Sequence, residues 1–320
     1  MAFGSFDTIC NKTSLPLCSV IGAINQSASF QRGIVPQCYA RSVELANTMI
    51  FQIGNAFVHF GGLIIFLIII FNMRAKYTAI GRIEMLNFMY LMIGLIVSSL
   101  IVDCGVAPPS SSTYAYFVSL QIGLASSCCI VLLFNGLLCF QFWEDGTRKS
   151  IWSLRIITFI WFAVNFIISL ITFKHWNTAL DFRKTTTLFI FTYVINAIIL
   201  ATYIVSQIIL VVFALDSWWP LGAILLGIFF FVAGQILTYV FSMQICSGAS
   251  HYVDGLFFGS VCNVFTVMMI YKYWDMITTD DLEFSVANVE QVVNEFGSNN
   301  NGGVGVLNYD DEKRSSNMYF

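Results

Sequence analysis

The chain has 320 residues, of which 58% are hydrophobic and only 10% are charged, and its mean hydropathy is +0.78. Soluble proteins carry about 25% charged residues, so this composition excludes an ordinary soluble domain and indicates a protein whose main partner is the lipid bilayer. The formal net charge is -3. No basic patch of the kind that binds nucleic acid is visible, so no nucleic-acid partner is expected.

The N-terminal stretch lacks both the basic region and the uninterrupted apolar core of a cleavable signal peptide, so we expect it to remain on the mature protein. Two glycosylation sequons precede the first apolar run, and they make Asn11 and Asn25 candidate glycosylation sites. Use of either one requires a lumenal N-terminus.

The apolar runs predict an all-α membrane protein with about seven transmembrane helices, because a bilayer core needs about 20 apolar residues per helix. The predicted spans are Ala46 to Phe71, Met85 to Val102, Tyr116 to Phe140, Ile151 to Phe173, Thr187 to Leu215, Leu221 to Ile245 and Val253 to Tyr271.

The distribution of Lys and Arg among the short loops favours a lumenal N-terminus and a cytosolic C-terminus. This orientation divides the chain into four parts. They are a lumenal N-terminal tail (1–45), a seven-helix bundle (46–272), a cytosolic acidic segment with an amphipathic helix (273–297) and a disordered tail (298–320).

Cysteines on the predicted lumenal side are candidates for disulfides, because that compartment is oxidising. They are Cys10, Cys18, Cys38 and Cys104, with Cys246 at the border. One or two bridges from the N-terminal tail to the loop at Asp103 to Pro109 are expected, although four cysteines permit three pairings.

Uncharged polar residues inside the spans indicate which helix faces point inward. Gln52, Asn55 and His59 share one helical face, and single Asn or Gln residues occur in other spans. Two interpretations stay open, a polar ligand pocket or path and interhelical hydrogen bonds. We favour hydrogen bonds, because no Asp, Glu, Lys or Arg is predicted in the middle of a span.

No catalytic or cofactor motif is visible. The three histidines, His59, His175 and His251, are far apart in sequence, and no His pair with metal-ligand spacing and no Gly-rich phosphate loop occurs. The sequence therefore predicts no enzyme activity, no cofactor and no metal site.

The last span and its continuation carry the candidate contact residues. Asp254, Gly255, Gly259 and Trp274 are candidates for a helix contact, because small residues four apart let membrane helices approach closely. Asp280, Asp281 and Glu283 follow as a candidate cytosolic contact. Beyond them, apolar residues at helical spacing predict an amphipathic helix that suits a protein groove.

Several segments together resemble the fungal chitin synthase export chaperones. They are PLCS (Pro16 to Ser19), CYARSVELANT (Cys38 to Thr48), KYTAIGR (Lys76 to Arg82), VDCGVAPP (Val102 to Pro109), WEDGT (Trp143 to Thr147), FFFVAGQ (Phe229 to Gln235) and the stretch from His251 to Phe284.

The resemblance implies a non-enzymatic, multi-pass protein of the endoplasmic reticulum that binds a chitin synthase and promotes its folding and export to the cell surface. Under this hypothesis the glycine pair contacts either its own bundle or the client. Asp310 and Glu312 form an acid-x-acid pattern of the kind read by vesicle-coat cargo adaptors. The alternative is a seven-helix receptor or transporter with a small ligand in its polar interior.

Overall fold

The computed structural model describes residues 4–22, 33–45, 48–77, 79–140, 146–175, 182–214 and 218–298, and only the backbone of residues 45, 48, 214 and 279–298. The chain divides into two compact units, Met1–Met276 and Ile277–Phe320. The described part of the second unit is helical from residue 277 to residue 298.

The described elements are helical except for one short hairpin. In chain order they are α1 (Asp7–Lys12), a 3-10 turn (Pro16–Ser19), β1 (Val43–Leu45), β2 (Thr48–Ile50), α2 (Ile53–Ala75), α3 (Arg82–Asp103), α4 (Tyr114–Leu138), α5 (Arg148–Lys174), α6 (Thr186–Phe189), a π-helical turn (Ile190–Ile195), α7 (Asn196–Ala214), α8 (Trp219–Tyr239), α9 (Ser242–Gly248) and α10 (Gly255–Ser298).

Seven of these helical stretches are long and apolar enough to cross a membrane, which confirms the predicted all-α membrane fold. They are α2 to α5, the stretch Thr186–Phe213, α8 and the first part of α10, Gly255–Thr278. A helix satisfies its backbone polar groups internally, and this is why apolar runs of this length fold as helices in lipid.

Three span boundaries differ clearly from the sequence prediction. The first helix begins at Ile53 rather than at Ala46, because β1 and β2 precede it and pair antiparallel, with Glu44 opposite Met49. The sixth helix ends at Tyr239 rather than at Ile245, and the short helix α9 follows it. The last helix, α10, continues beyond Tyr271 to Ser298 as one element, so the predicted amphipathic stretch is not a separate helix.

The N-terminal segment, residues 4–22, packs onto one end of the bundle, which we call the capped end. Phe6, Cys10 and Ile21 are almost fully buried, and they share one hydrophobic cluster with Phe173 of α5 and Leu188 of α6. The ring of Phe6 also lies 5.6 Å from the ring of Phe189. Residues 4–22 are thus part of the folded core.

The opposite end of the bundle is held together by a second hydrophobic cluster, which includes Met73, Leu154 and Trp274, and by two buried or half-buried acids. Glu84, at the start of α3, is fully buried and accepts hydrogen bonds from Gly146 N (3.1 Å) and Ser150 Oγ (3.2 Å). Asp275 of α10 pairs with both Lys76 and Lys272. These contacts connect the starts of α3 and α5 and fasten the α2–α3 connection to α10.

Candidate functional site

The strongest candidate site is a buried polar cluster at the capped end, centred on Asp103. This last residue of α3 is only 3% exposed. Its carboxylate accepts a hydrogen bond from Asn55 Nδ2 (2.6 Å) and lies 3.4 Å from His59 Nε2. Asn55 and His59 are four residues apart on α2, so helical geometry places both on the face that meets Asp103.

A second buried carboxylate, Asp254, joins the N-terminal segment to the start of α10. Asp254 accepts a hydrogen bond from Ser14 Oγ and caps α10 by accepting from Phe257 N (3.3 Å). Gln52 Nε2 donates to the backbone oxygen of Ser14 (3.0 Å). Such a cap satisfies a backbone N–H that a helix start would otherwise leave unpaired.

Two cavities meet at this cluster. An outer cavity of about 820 Å³ lies between the N-terminal segment, the chain on either side of the hairpin and the start of α4. An inner cavity of about 310 Å³ lies inside the bundle. Leu15, Pro16 and Asp103 line both cavities, so the N-terminal segment separates one from the other.

Both interpretations of the polar span residues find support in the structure. Asn196 Nδ2 donates to Ser126 Oγ (2.8 Å), and Gln207 Nε2 donates to the backbone oxygen of Gly136 (3.2 Å), so these side chains join neighbouring helices. Asn55, His59 and Asn263, in contrast, line the inner cavity.

The two glycines predicted to make a helix contact lie against α8. A Cβ on Gly259 would overlap Thr238 Oγ1, and a Cβ on Gly255 would lie 2.7 Å from the Cα of Ser242, just beyond α8. Gly234 of α8 faces Gly259 in return, because a Cβ there would come within 3.4 Å of the Gly259 backbone oxygen. The close approach is therefore a contact inside the bundle.

The other candidate contact residues have separate surroundings. Trp274 donates its indole N–H to the backbone oxygen of Ile80 (3.1 Å) at the opposite end of the bundle from Asp254. Asp280, Asp281 and Glu283 lie in the helical backbone of α10, and their side chains are outside the described part of the chain.

The disulfides differ from the expected bridge to the Asp103–Pro109 loop. Cys10 pairs with Cys18, and Cys38 pairs with Cys246, whose Cα atoms are 5.5 and 6.0 Å apart respectively. The expectation that Cys104 pairs with the N-terminal tail is wrong, since Cys104 is a free thiol.

Cys104 has surroundings that make it a weak nucleophile. Burial raises the pKa of its thiol above the ordinary value, and the Asp103 carboxylate raises this pKa further. A backbone hydrogen bond, rather than a disulfide, holds the loop that carries Cys104. Phe51 N donates to the backbone oxygen of Asp103 (3.0 Å).

Within the described ranges, Cys38, Cys246 and His251 are the one group of three side chains whose potential metal-ligand atoms lie within 4.8 Å of one another. Both sulfurs of this group are joined in the disulfide and offer no thiolates. His251 Nδ1 lies 3.3 Å from the Cys38 sulfur. The sequence signal for this group was weak, because its members are distant along the chain.

The first sequon is folded into the N-terminal segment. Asn11 is exposed on α1, whereas Thr13 is only 1% exposed and donates its hydroxyl hydrogen to the Ile9 oxygen (2.7 Å). Asn25, Asp310 and Glu312 lie outside the described residues.

The fold and its polar interior define a multi-pass, seven-helix membrane protein. The family model described as chitin synthase export chaperone matches residues 2–288, so the chain belongs to that family.

Proteins named chitin synthase export chaperone are similar to this chain over most of their length. The Candida albicans protein is 79% identical over 320 residues, the whole of both chains. The Saccharomyces cerevisiae protein is 50% identical over 90% of this chain and 96% of its own. The Aspergillus clavatus protein is 49% identical over 89% of this chain and 86% of its own. No solved structure matches.

Proposed function

We propose that this protein is a non-enzymatic membrane chaperone that binds a chitin synthase and promotes its folding and its export from the endoplasmic reticulum. The observation that carries the proposal is the family match over residues 2–288, which includes all seven membrane helices. The full-length 79% identity to a protein named for this role supports it.

The chemistry of the bundle suits a binding role. Membrane helices associate through close packing and hydrogen bonds rather than through the hydrophobic effect. A chaperone of this kind covers small-residue grooves or polar groups of its client that lipid would leave unsatisfied. Because Gly255 and Gly259 pack against α8 and its continuation, we do not assign the client contact to them.

We assign a cytosolic client contact to Asp280, Asp281 and Glu283. These three acids follow the last membrane span and fall inside the family match, whereas Glu290 and Glu295 of the same helix fall outside it. A carboxylate cluster of this kind would attract a basic surface of the client.

Co-purification with chitin synthase tests both the binding role of the protein and the acidic contact. We expect the triple variant Asp280→Asn, Asp281→Asn, Glu283→Gln to bind the synthase about tenfold more weakly. This estimate takes roughly 0.5 kcal/mol for each exposed ion pair. The matched control is the double variant Glu290→Gln, Glu295→Gln, which should bind within about twofold of the wild-type protein.

Different outcomes test the chaperone function and the acidic contact separately. Normal surface delivery of chitin synthase in cells that lack this protein would contradict the chaperone function. Equal binding by the triple variant and the control would leave the function intact and contradict the acidic contact. Residence in the endoplasmic reticulum and recognition of Asp310 and Glu312 by vesicle-coat adaptors are further parts of the proposal.

A further inference from the structure

The inner cavity is a polar chamber inside an otherwise apolar bundle. Its volume of about 310 Å³ lies at the lower end of the range for small-molecule pockets. Its polar wall comes from four different helices, α2, α3, α4 and α10, through Asn55, His59, Ser99, Asp103, Gln121 and Asn263. Apolar side chains such as Leu95 and Val118 complete the wall.

The charge of the chamber is negative or neutral. An ionisable residue buried in a membrane bundle is costly, and by default it indicates a functional site. Asp103 is such a residue, and its nearest partners are Asn55 and His59. Among the described residues that line the cavity there is no Lys or Arg.

Two further atoms in the wall lack a partner in the described part of the chain. Asn55 Oδ1 and Thr192 Oγ1 are both shielded from solvent and make no hydrogen bond there. Asn55 itself is only 5% exposed. A buried polar atom without a partner costs free energy, so a hydrogen-bond donor placed in the cavity would be stabilised at Asn55 Oδ1 and at the carboxylate of Asp103.

Thr192 reaches the cavity from an irregular stretch of helix. Thr192 and Tyr193 belong to the π-helical turn Ile190–Ile195, and both line the chamber. Single π-helical turns inside α-helices occur frequently at functional sites. The same cavity is therefore marked independently by a buried carboxylate, by an unpaired amide oxygen and by a π-helical turn.

The N-terminal segment closes the inner cavity on the side of the outer cavity. Leu15 and Pro16 separate it from the outer cavity, and the neighbouring Ser14 is held by Gln52 and Asp254. A ligand that enters from the outer cavity would pass this segment.

We propose that the inner cavity binds a small organic cation that carries N–H donors, an amine with a short apolar chain. Its ammonium group donates to the Asp103 carboxylate, Asn55 Oδ1 and Thr192 Oγ1, and its apolar chain packs against Leu95 and Val118. This site is separate from the client contact, and it adds a ligand-binding role to the chaperone.

Thermal unfolding of the purified full-length protein in detergent tests the proposal, because a ligand that binds only the folded state raises the unfolding midpoint. The probes are butylammonium, putrescine and tetramethylammonium chloride, each compared with NaCl at equal ionic strength. We expect the two amines to give a saturable rise of about 2 °C or more. Tetramethylammonium has no N–H donor and should give a smaller rise.

Asp103→Asn should abolish the rise. The matched control is Glu84→Gln, which alters a buried carboxylate at the other end of the same helix and should retain the rise. No rise with either amine in the wild-type protein would overturn the proposal and leave a chamber that holds water only. An equal rise in the Asp103→Asn variant would also overturn it.

If the Asp103→Asn variant does not fold, a pair of threonine variants decides. Thr192→Val removes the unpaired hydroxyl from the cavity wall, whereas Thr202→Val removes an exposed hydroxyl of α7 that donates to the Ile198 oxygen (2.9 Å). A smaller rise in the first variant alone supports the site, and equal rises in both overturn it.

Discussion

Gly259 shows how a single hydrogen in place of a side chain sets the distance between two membrane helices. The backbone oxygen of Gly234 lies 3.4 Å from the place where a Gly259 Cβ would stand, and Thr238 Oγ1 lies closer still. Small residues permit such approach because no side chain separates the backbones. Packing of α10 on α8 therefore depends on this residue being glycine.

Gly259→Leu is expected to destabilise the fold by about 1–3 kcal/mol, the usual cost of overpacking a core. The measurement is the unfolding midpoint in detergent. Gly222→Leu is the matched control, since Gly222 lies on α8 and a Cβ there meets no atom within 4 Å. If both variants unfold at the same temperature, the close approach of α8 and α10 does not stabilise the protein.

Asp103 shows the limit of residue-scale prediction. Its place at the end of a span was readable from the sequence, but a residue at a span edge is ordinarily expected to reach water. Asp103 is buried because Leu15 and Pro16 of the N-terminal segment and Phe51, just after the hairpin, lie at the end of α3. That contact joins segments distant in sequence, and hydropathy does not encode it.

At the scale of elements, the hairpin and the two disulfides shape the capped end. The apolar residues of the hairpin made the first span appear to begin at Ala46, because hydropathy alone does not distinguish a short apolar strand from the first turn of a helix. The pairing of cysteines likewise required the fold, because Cys38 and Cys246 are 208 residues apart.

The Cys38–Cys246 disulfide is expected to contribute more stability than the Cys10–Cys18 disulfide. Their sequence separations are 208 and 8 residues, and on a chain-entropy argument the longer loop adds up to about 3 kcal/mol. This is an upper limit, because the spans stay in the detergent or bilayer when the bundle unfolds.

The double variant Cys38→Ala, Cys246→Ala should therefore have a lower unfolding midpoint than the double variant Cys10→Ala, Cys18→Ala. The two pairs are well matched, because none of the four cysteines is more than 7% exposed. Equal midpoints would mean that the unfolded chain is already confined enough to make loop length irrelevant.

At the scale of the whole molecule, the sequence predicted the number and order of membrane helices well. Seven apolar runs of about 20 residues are a strong signal, since lipid leaves the backbone few alternatives to a helix. The interior was less predictable. Asn196 and Gln207 form interhelical hydrogen bonds, whereas Asn263 lines a cavity, and these residue types look alike in sequence.

Orientation is the whole-molecule prediction to test next. The positive-inside rule and the sequons predict a lumenal capped end. Tyr77 and Val106 are matched probes, because they are 81% and 73% exposed and lie at opposite ends of the bundle. In a background without the free cysteines, Tyr77→Cys should react with a membrane-impermeant maleimide in intact microsomes. Val106→Cys should react only after detergent is added, and the reverse pattern would invert the topology.

The Cys38–Cys246 disulfide also fixes an order of events during synthesis. Cys38 leaves the ribosome early, but its partner is made only after another 208 residues, which include six of the seven membrane helices. The contact between Ser14 and Asp254 has the same property. The capped end is therefore the last part of the bundle to assemble, although its N-terminal segment is synthesised first. A chain released before Cys246 is made cannot form this disulfide.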